Sequence, residues 1–175
     1  MNETLKWDPK AFLDLAREFE LFDFEIYQTS KNYKEKFNQY QNYQQLIRDK
    51  IFYQKKELFF SCIIKFLTKK VSEFIFIIDL LEIYNNQLKL IENFESDLIQ
   101  IQNFSIDNKI VGFASLIDDM VAEAELYRTI VFDFEESPEK HLDAFQNSIE
   151  TIFLQLQEYS KTEHYYILSN YIAMG

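Results

Sequence analysis

Glycine and proline are nearly missing from this chain of 175 residues, which holds two of each. From Lys10 to Val111 neither occurs. Those residues supply positive φ, fixed turns and helix breaks, so tight hairpins have little to be built from. The shortage also excludes chemistry. Gly-rich phosphate cradles, nucleophile elbows and dinucleotide loops need glycine at set positions. Cysteine is just as scarce: Cys62 is alone, in the apolar run Phe59-Phe60-Ser61-Cys62-Ile63-Ile64. No disulfide can form within one chain, which fits a reducing compartment.

Histidine is limited to His141 and His164. Di-iron helical bundles need Glu-x-x-His on facing helices, and here Pro138 and Lys161 stand where the glutamates would be. Zinc sites need clusters of Cys and His that this chain does not have. The Arg-then-His spacing used by some helical-bundle ribonucleases is missing after Arg17, Arg48 and Arg128. The expectation is therefore a non-enzymatic protein with no metal and no cofactor. No secretory leader is read in the polar opening Met1–Lys10, and the most apolar stretch, Phe59–Leu81, carries five charges. Such a stretch does not span a bilayer, so a cytoplasmic protein without membrane contact is expected.

What fills the chain instead is helix-forming and aromatic. Apolar residues make up 47%, enough for a core, and the rings number eighteen Phe, eleven Tyr and one Trp. Two helix starts stand out: Asp8 as N-cap before Pro9, and Ser137 as N-cap before Pro138. A third, weaker start lies at Asp107 or Asn108. Ile110, Phe113, Ile117, Met120, Ala124, Tyr127, Val131 and Phe134 recur at alternating three and four, as do Leu142, Phe145, Ile149, Ile152, Leu156 and Tyr159.

The same spacing runs from Phe60 through Phe74, Ile78, Leu81, Tyr84, Leu88 and Ile91 to Ile101. One helix of that length would reach roughly 60 Å, so a break near Asn85-Asn86 is expected. Toward the N-terminus, Phe12, Leu15, Phe19, Phe22 and Ile26 form one stripe, and Tyr33, Phe37, Tyr40, Tyr43 and Ile47 another. Breaks are expected at Thr29-Ser30 and between Arg48 and Glu57. The spacing predicts a single all-α domain over residues 1–175, an up-and-down bundle of about four long helices, some broken, with the N-terminal pair the longer.

The net charge of −11 is uneven. Residues 1–29 hold seven acids and three bases, residues 30–70 three acids and ten bases, and residues 71–175 nineteen acids and five bases. The last surplus exceeds what the basic segment can offset, so acidic surface must remain. Acids gather at Asp118, Asp119, Glu123 and Glu125, with Asp133, Glu135 and Glu136 at the following turn. Since the apolar stripe already takes the inward positions, these seven read as a face for a basic protein partner rather than a metal or acid–base site.

Small acidic immunity proteins and antitoxins that occlude nucleases have this composition, and inhibition of a basic partner is the expected function. The alternative is a helical subunit of a larger nucleoprotein assembly docking through residues 31–70. There Lys31, Lys34, Lys36, Arg48, Lys50, Lys55, Lys56, Lys65, Lys69 and Lys70 interleave with Tyr33, Tyr40, Tyr43 and Tyr53. Homodimerisation through the N-terminal helices is another way of covering a projecting apolar stripe.

Overall fold

A computed structural model describes residues 6–95, 98–105, 108–132 and 137–160. Among them every regular element is helical. In place of about four long helices there are eight α-helices: α1 (Pro9–Glu18), α2 (Phe24–Thr29), α3 (Lys31–Gln54), α4 (Lys56–Leu67), α5 (Glu73–Glu95), α6 (Leu98–Asn103), α7 (Phe113–Phe132) and α8 (Pro138–Glu158), with a 3-10 turn at Asn108–Ile110. Four of them, α3, α5, α7 and α8, run 20 to 24 residues. None is long and apolar enough to cross a membrane.

The chain divides into two compact units, each drawn from two separate segments. One comprises Met1–Gln54 with Gln87–Val111, the other Lys55–Asn86 with Gly112–Gly175. Helix α5 is unbroken through Asn85-Asn86, where a break was expected, and the unit boundary falls at that pair. Asn lowers helix propensity by only a fraction of a kcal/mol, too little to stop a helix that is apolar on both sides.

In the first unit α1 begins at the predicted place. Asp8 accepts hydrogen bonds from the N–H groups of Lys10 (2.9 Å) and Ala11 (3.0 Å), and Pro9 occupies the first helical position. Phe12, Leu15 and Phe19 are buried, but the stripe ends there: α1 stops at Glu18, and Phe22 and Ile26 are exposed. The N-terminal pair is thus not a pair of long helices. Asp23 caps the short α2, and Ser30 then separates α2 from α3.

Helix α3 meets α1 and α2 through rings. Phe19 lies 5.0 Å from Tyr33, 5.2 Å from Phe37 and 5.7 Å from Tyr40, while Phe22 lies 4.7 Å from Phe37. Trp7 closes the cluster against Phe12, Tyr43 and Phe104. Ring pairs of this geometry contribute about 0.5–1.5 kcal/mol each beyond the area they bury.

The second unit packs α8 against α4 and α7. The α7 stripe is buried as predicted at Phe113, Ile117, Met120, Ala124 and Tyr127; Phe134 lies outside the described residues. In α8, Phe153 takes the buried place expected of Ile152. In α5 the register differs more. Phe76, Ile77 and Leu80 are buried, whereas Ile78 is 64% exposed. Helix α4 ends at Leu67 with Thr68 as its C-cap, and the connection to Ser72 resets the helical phase before α5.

That connection shows how a chain poor in glycine turns. The N–H of Lys70 donates to the carbonyl of Lys65 (2.8 Å), and the N–H of Lys69 to that of Phe66 (2.9 Å). This is a Schellman ending, and its left-handed residue is Lys69 (φ 55°), where glycine is preferred. A Cβ there costs about 1–2 kcal/mol, partly recovered from the smaller entropy a lysine loses relative to glycine. Lys69→Gly is expected to raise stability by about 0.5–1 kcal/mol, read as a higher urea midpoint at unchanged slope.

Candidate functional site

The sequence of α7 decides where its carboxylates can go. With Phe113, Ile117, Met120, Ala124 and Tyr127 turned inward, the acids fall on the two borders of the exposed face. Asp118 and Glu125, seven residues apart, share one border. Asp119 and Glu123, four apart, share the other.

The two borders are occupied differently. Asp118 is half-buried and accepts a 2.9 Å hydrogen bond from the hydroxyl of Tyr84 on α5. Glu125 forms an ion pair of 2.6 Å with Arg128, one turn along the helix. Both are committed within their own unit. Asp119 is exposed, and Glu123 lines an open groove of about 310 Å³ with Asn147, Ser148, Thr151 and Ile152 of α8. The Thr151 hydroxyl is turned back on the Asn147 carbonyl (2.8 Å). Such a groove can attract a cation or accept hydrogen bonds, but one carboxylate among neutral groups forms no acid–base pair. Asp133, Glu135 and Glu136 lie outside the described residues.

At the start of α8 the backbone follows the expected pattern and the side chain does not. Ser137 occupies the N-cap position, yet its hydroxyl is bonded to the carboxylate of Glu139 rather than to a helix N–H. That bond, with a backbone N–H, holds the Glu139 carboxyl below the usual range.

Two buried groups of the second unit titrate late. Cys62 is 5% exposed; burial, then the nearby Asp79 carboxylate, push its thiol up to about 12. Burial, then Glu73 and Glu139, raise the Tyr127 hydroxyl to about 12 as well. A thiol so placed packs as a small apolar group. Both groups hold their protons more tightly folded than unfolded. The stability they provide is therefore complete below about pH 9 and is lost progressively as the pH rises toward 12. The native protein is expected to resist a thiol-specific disulfide reagent at pH 8 and to react fully in denaturant. Its unfolding midpoint should fall steadily above pH 9.

The basic segment divides between the units at Gln54. Three of its rings are turned onto other rings: Tyr43 is 2% exposed against Trp7 and Phe12, and Tyr33 and Tyr40 are half-buried against Phe19. Lys36 is held by Glu18 at 2.8 Å, Lys31 by Glu35 at 3.5 Å, Lys34 lies over the Tyr27 ring, and the Arg48 guanidinium lies over Phe52.

Periodicity did not single out two exposed apolar residues on α7, Leu126 (55%) and Phe132 (60%). Leu126 stands outside the stripe of three and four, and that was the available signal. Among the described residues no group of three or more His, Cys, Asp or Glu is arranged to hold a metal ion. Compared with protein-family models, curated proteins and solved structures, the chain matches none.

Proposed function

We propose that this protein is a non-enzymatic protein–protein interaction module, of the immunity-protein or antitoxin kind, that occludes a basic partner. The observation that carries the reading is the charge of the α7–α8 segment. Residues 112–160 hold eleven acids against two bases, Arg128 and Lys140. One of those bases is already spent on Glu125. A helical hairpin with such a surplus raises the local concentration of a basic surface and steers its approach. Asp119 and Glu123 form its open border, and the exposed Leu126 beside them suits the desolvated centre of a contact. The cytoplasm is the compartment proposed, on the strength of the lone buried thiol.

The test is capture of the tagged protein with its partner from native lysate, with and without nuclease, followed by association kinetics. A single stoichiometric partner of high isoelectric point that survives nuclease supports the reading. Loss of the partner on nuclease treatment, or recovery of an acidic one, overturns it. With the partner in hand, Asp119→Lys with Glu123→Lys is expected to slow association about tenfold or more at low salt, and less at physiological salt.

A further inference from the structure

Between α1 and the first turn of α2, six consecutive residues leave four large apolar side chains open to solvent. Leu21 is 88% exposed, Phe22 42%, Phe24 62% and Ile26 46%. At full exposures of about 200 Å² per ring, the two Phe alone present on the order of 200 Å². With Leu21 and Ile26 the cluster reaches the size of the largest apolar patch on an ordinary monomer, which is often functional.

The turn that carries them is fixed. Asp23 accepts a hydrogen bond from the N–H of Ile26 (3.0 Å), and its own N–H donates to the hydroxyl of Tyr33 (3.0 Å). The ring of Phe22 is held between Phe37 (4.7 Å) and Tyr27 (5.5 Å). Apolar side chains on a mobile loop can fold back on the protein; here the Asp23 backbone is tied at its N–H by Tyr33 and at its carbonyl by the N–H of Tyr27 (2.9 Å). A surface ordered before contact loses little entropy on binding.

The surrounding charges say what kind of molecule fits. Glu20, Asp23 and Glu25 are exposed around the cluster, while Glu18 is neutralised by Lys36. Lys34 lies over the Tyr27 ring, and Lys31 is paired with Glu35. The rim is therefore acidic. A second copy would set this rim against its own like charges, and an anionic lipid surface would be repelled.

We infer that the Leu21–Ile26 turn is the apolar anchor of a docking surface for a basic amphipathic segment of another protein. Apolar residues of that segment would cover Leu21, Phe24 and Ile26, and its Lys or Arg residues would meet Glu20, Asp23 and Glu25. The inference rests on the proposed basic partner and adds an apolar contact carried by the first unit.

The probe is a fluorescein-labelled helical peptide of leucine and lysine at amphipathic spacing, with a matched leucine–glutamate peptide, titrated with the full chain and read by anisotropy. The lysine peptide should bind and weaken steeply with salt, and the glutamate peptide should not bind. Leu21→Ser with Phe24→Ser should weaken binding at least tenfold while leaving the melting temperature unchanged, since both residues are exposed. Glu20→Lys with Glu25→Lys should weaken it and flatten the salt dependence. Asp119→Lys with Glu123→Lys should change it little.

Equal binding of both peptides, or full binding by the double serine variant, overturns the inference. So does a dimer in sedimentation equilibrium that the serine variant dissolves, which would assign the cluster to a second copy. Serine-sensitive binding to phosphatidylcholine vesicles would assign it to lipid. If the serine variant still captures the basic lysate partner and the α7 reversal does not, this inference falls and the proposed function stands. If the unaltered protein captures no basic partner and binds no lysine peptide, both fall.

Discussion

Phe76→Ala is expected to destabilise the second unit by about 3–5 kcal/mol, the range for truncating a buried aromatic side chain. Phe76 is fully buried and stacks on Phe66 with centroids 4.4 Å apart and planes within 9°. Phe145 approaches both rings, at 5.5 Å from Phe66 and 6.1 Å from Phe76, and Tyr127 stacks on Phe145 at 4.5 Å. The four rings come from α4, α5, α7 and α8, so the cavity would open where these four helices meet. Rigid rings held from four sides have little freedom to close it. Ile78→Ala on the same helix removes a side chain that is 64% exposed and should change stability by no more than about 0.5 kcal/mol. Urea unfolding of the two variants decides the matter. Equal midpoints would mean that this stack is not the centre of the unit.

Gly112→Ala should cost about 2–5 kcal/mol, from two separable causes. Gly112 has φ 93°, outside the range an L side chain adopts without strain, for about 1–2 kcal/mol. A Cβ at this position would stand 2.9 Å from the Tyr159 hydroxyl oxygen, an overlap that adds about 1–3 kcal/mol. Tyr159 cannot withdraw freely, because its ring packs edge-on against Phe113 at 5.7 Å. Adding Tyr159→Phe to Gly112→Ala removes the colliding oxygen and should recover the second part only. Recovery of the whole loss would show that the backbone tolerates the substitution. The glycine stands at the step into α7, and Phe113 begins the buried stripe, so local unwinding should appear first as lost helical circular dichroism.

Local rules made much of the fold legible. Asp8-Pro9 gave the start of α1, and the alternation from Phe113 to Tyr127 gave both the existence of α7 and its buried face. The connection at Lys55 falls inside the interval where a turn was expected. What was not legible had specific causes. In Phe74-Ile75-Phe76-Ile77-Ile78-Asp79-Leu80-Leu81 apolar residues cover nearly the whole circumference, so spacing cannot choose a face; α4 and α8 choose it. The break at Lys69 carries no glycine to announce it. Asp23 did offer a signal for α2, a capping residue before a short helix, but it was masked by a stripe that kept step across it.

For the acidic face, helical geometry put Asp118 with Glu125 and Asp119 with Glu123. It could not supply Tyr84, 34 residues before Asp118, whose hydroxyl binds that carboxylate. The Leu21–Ile26 cluster was equally hidden, because an apolar residue in helical step looks buried until the helix is known to end.

The interleaving of the two units has a consequence for how the chain is made. At about 5–20 residues per second, several seconds separate synthesis of Gln54 from that of Val111, the last residue of the first unit. Meanwhile Lys55–Asn86 has been made with Phe60, Phe66 and Phe76, whose ring partners on α8, Phe145 and Phe153, do not yet exist. Neither unit corresponds to a contiguous stretch of message. The nascent chain passes through a stage in which the first half of one core waits, uncovered, while the other is completed, and that stage is the one at which a ribosome-bound chaperone would find its substrate.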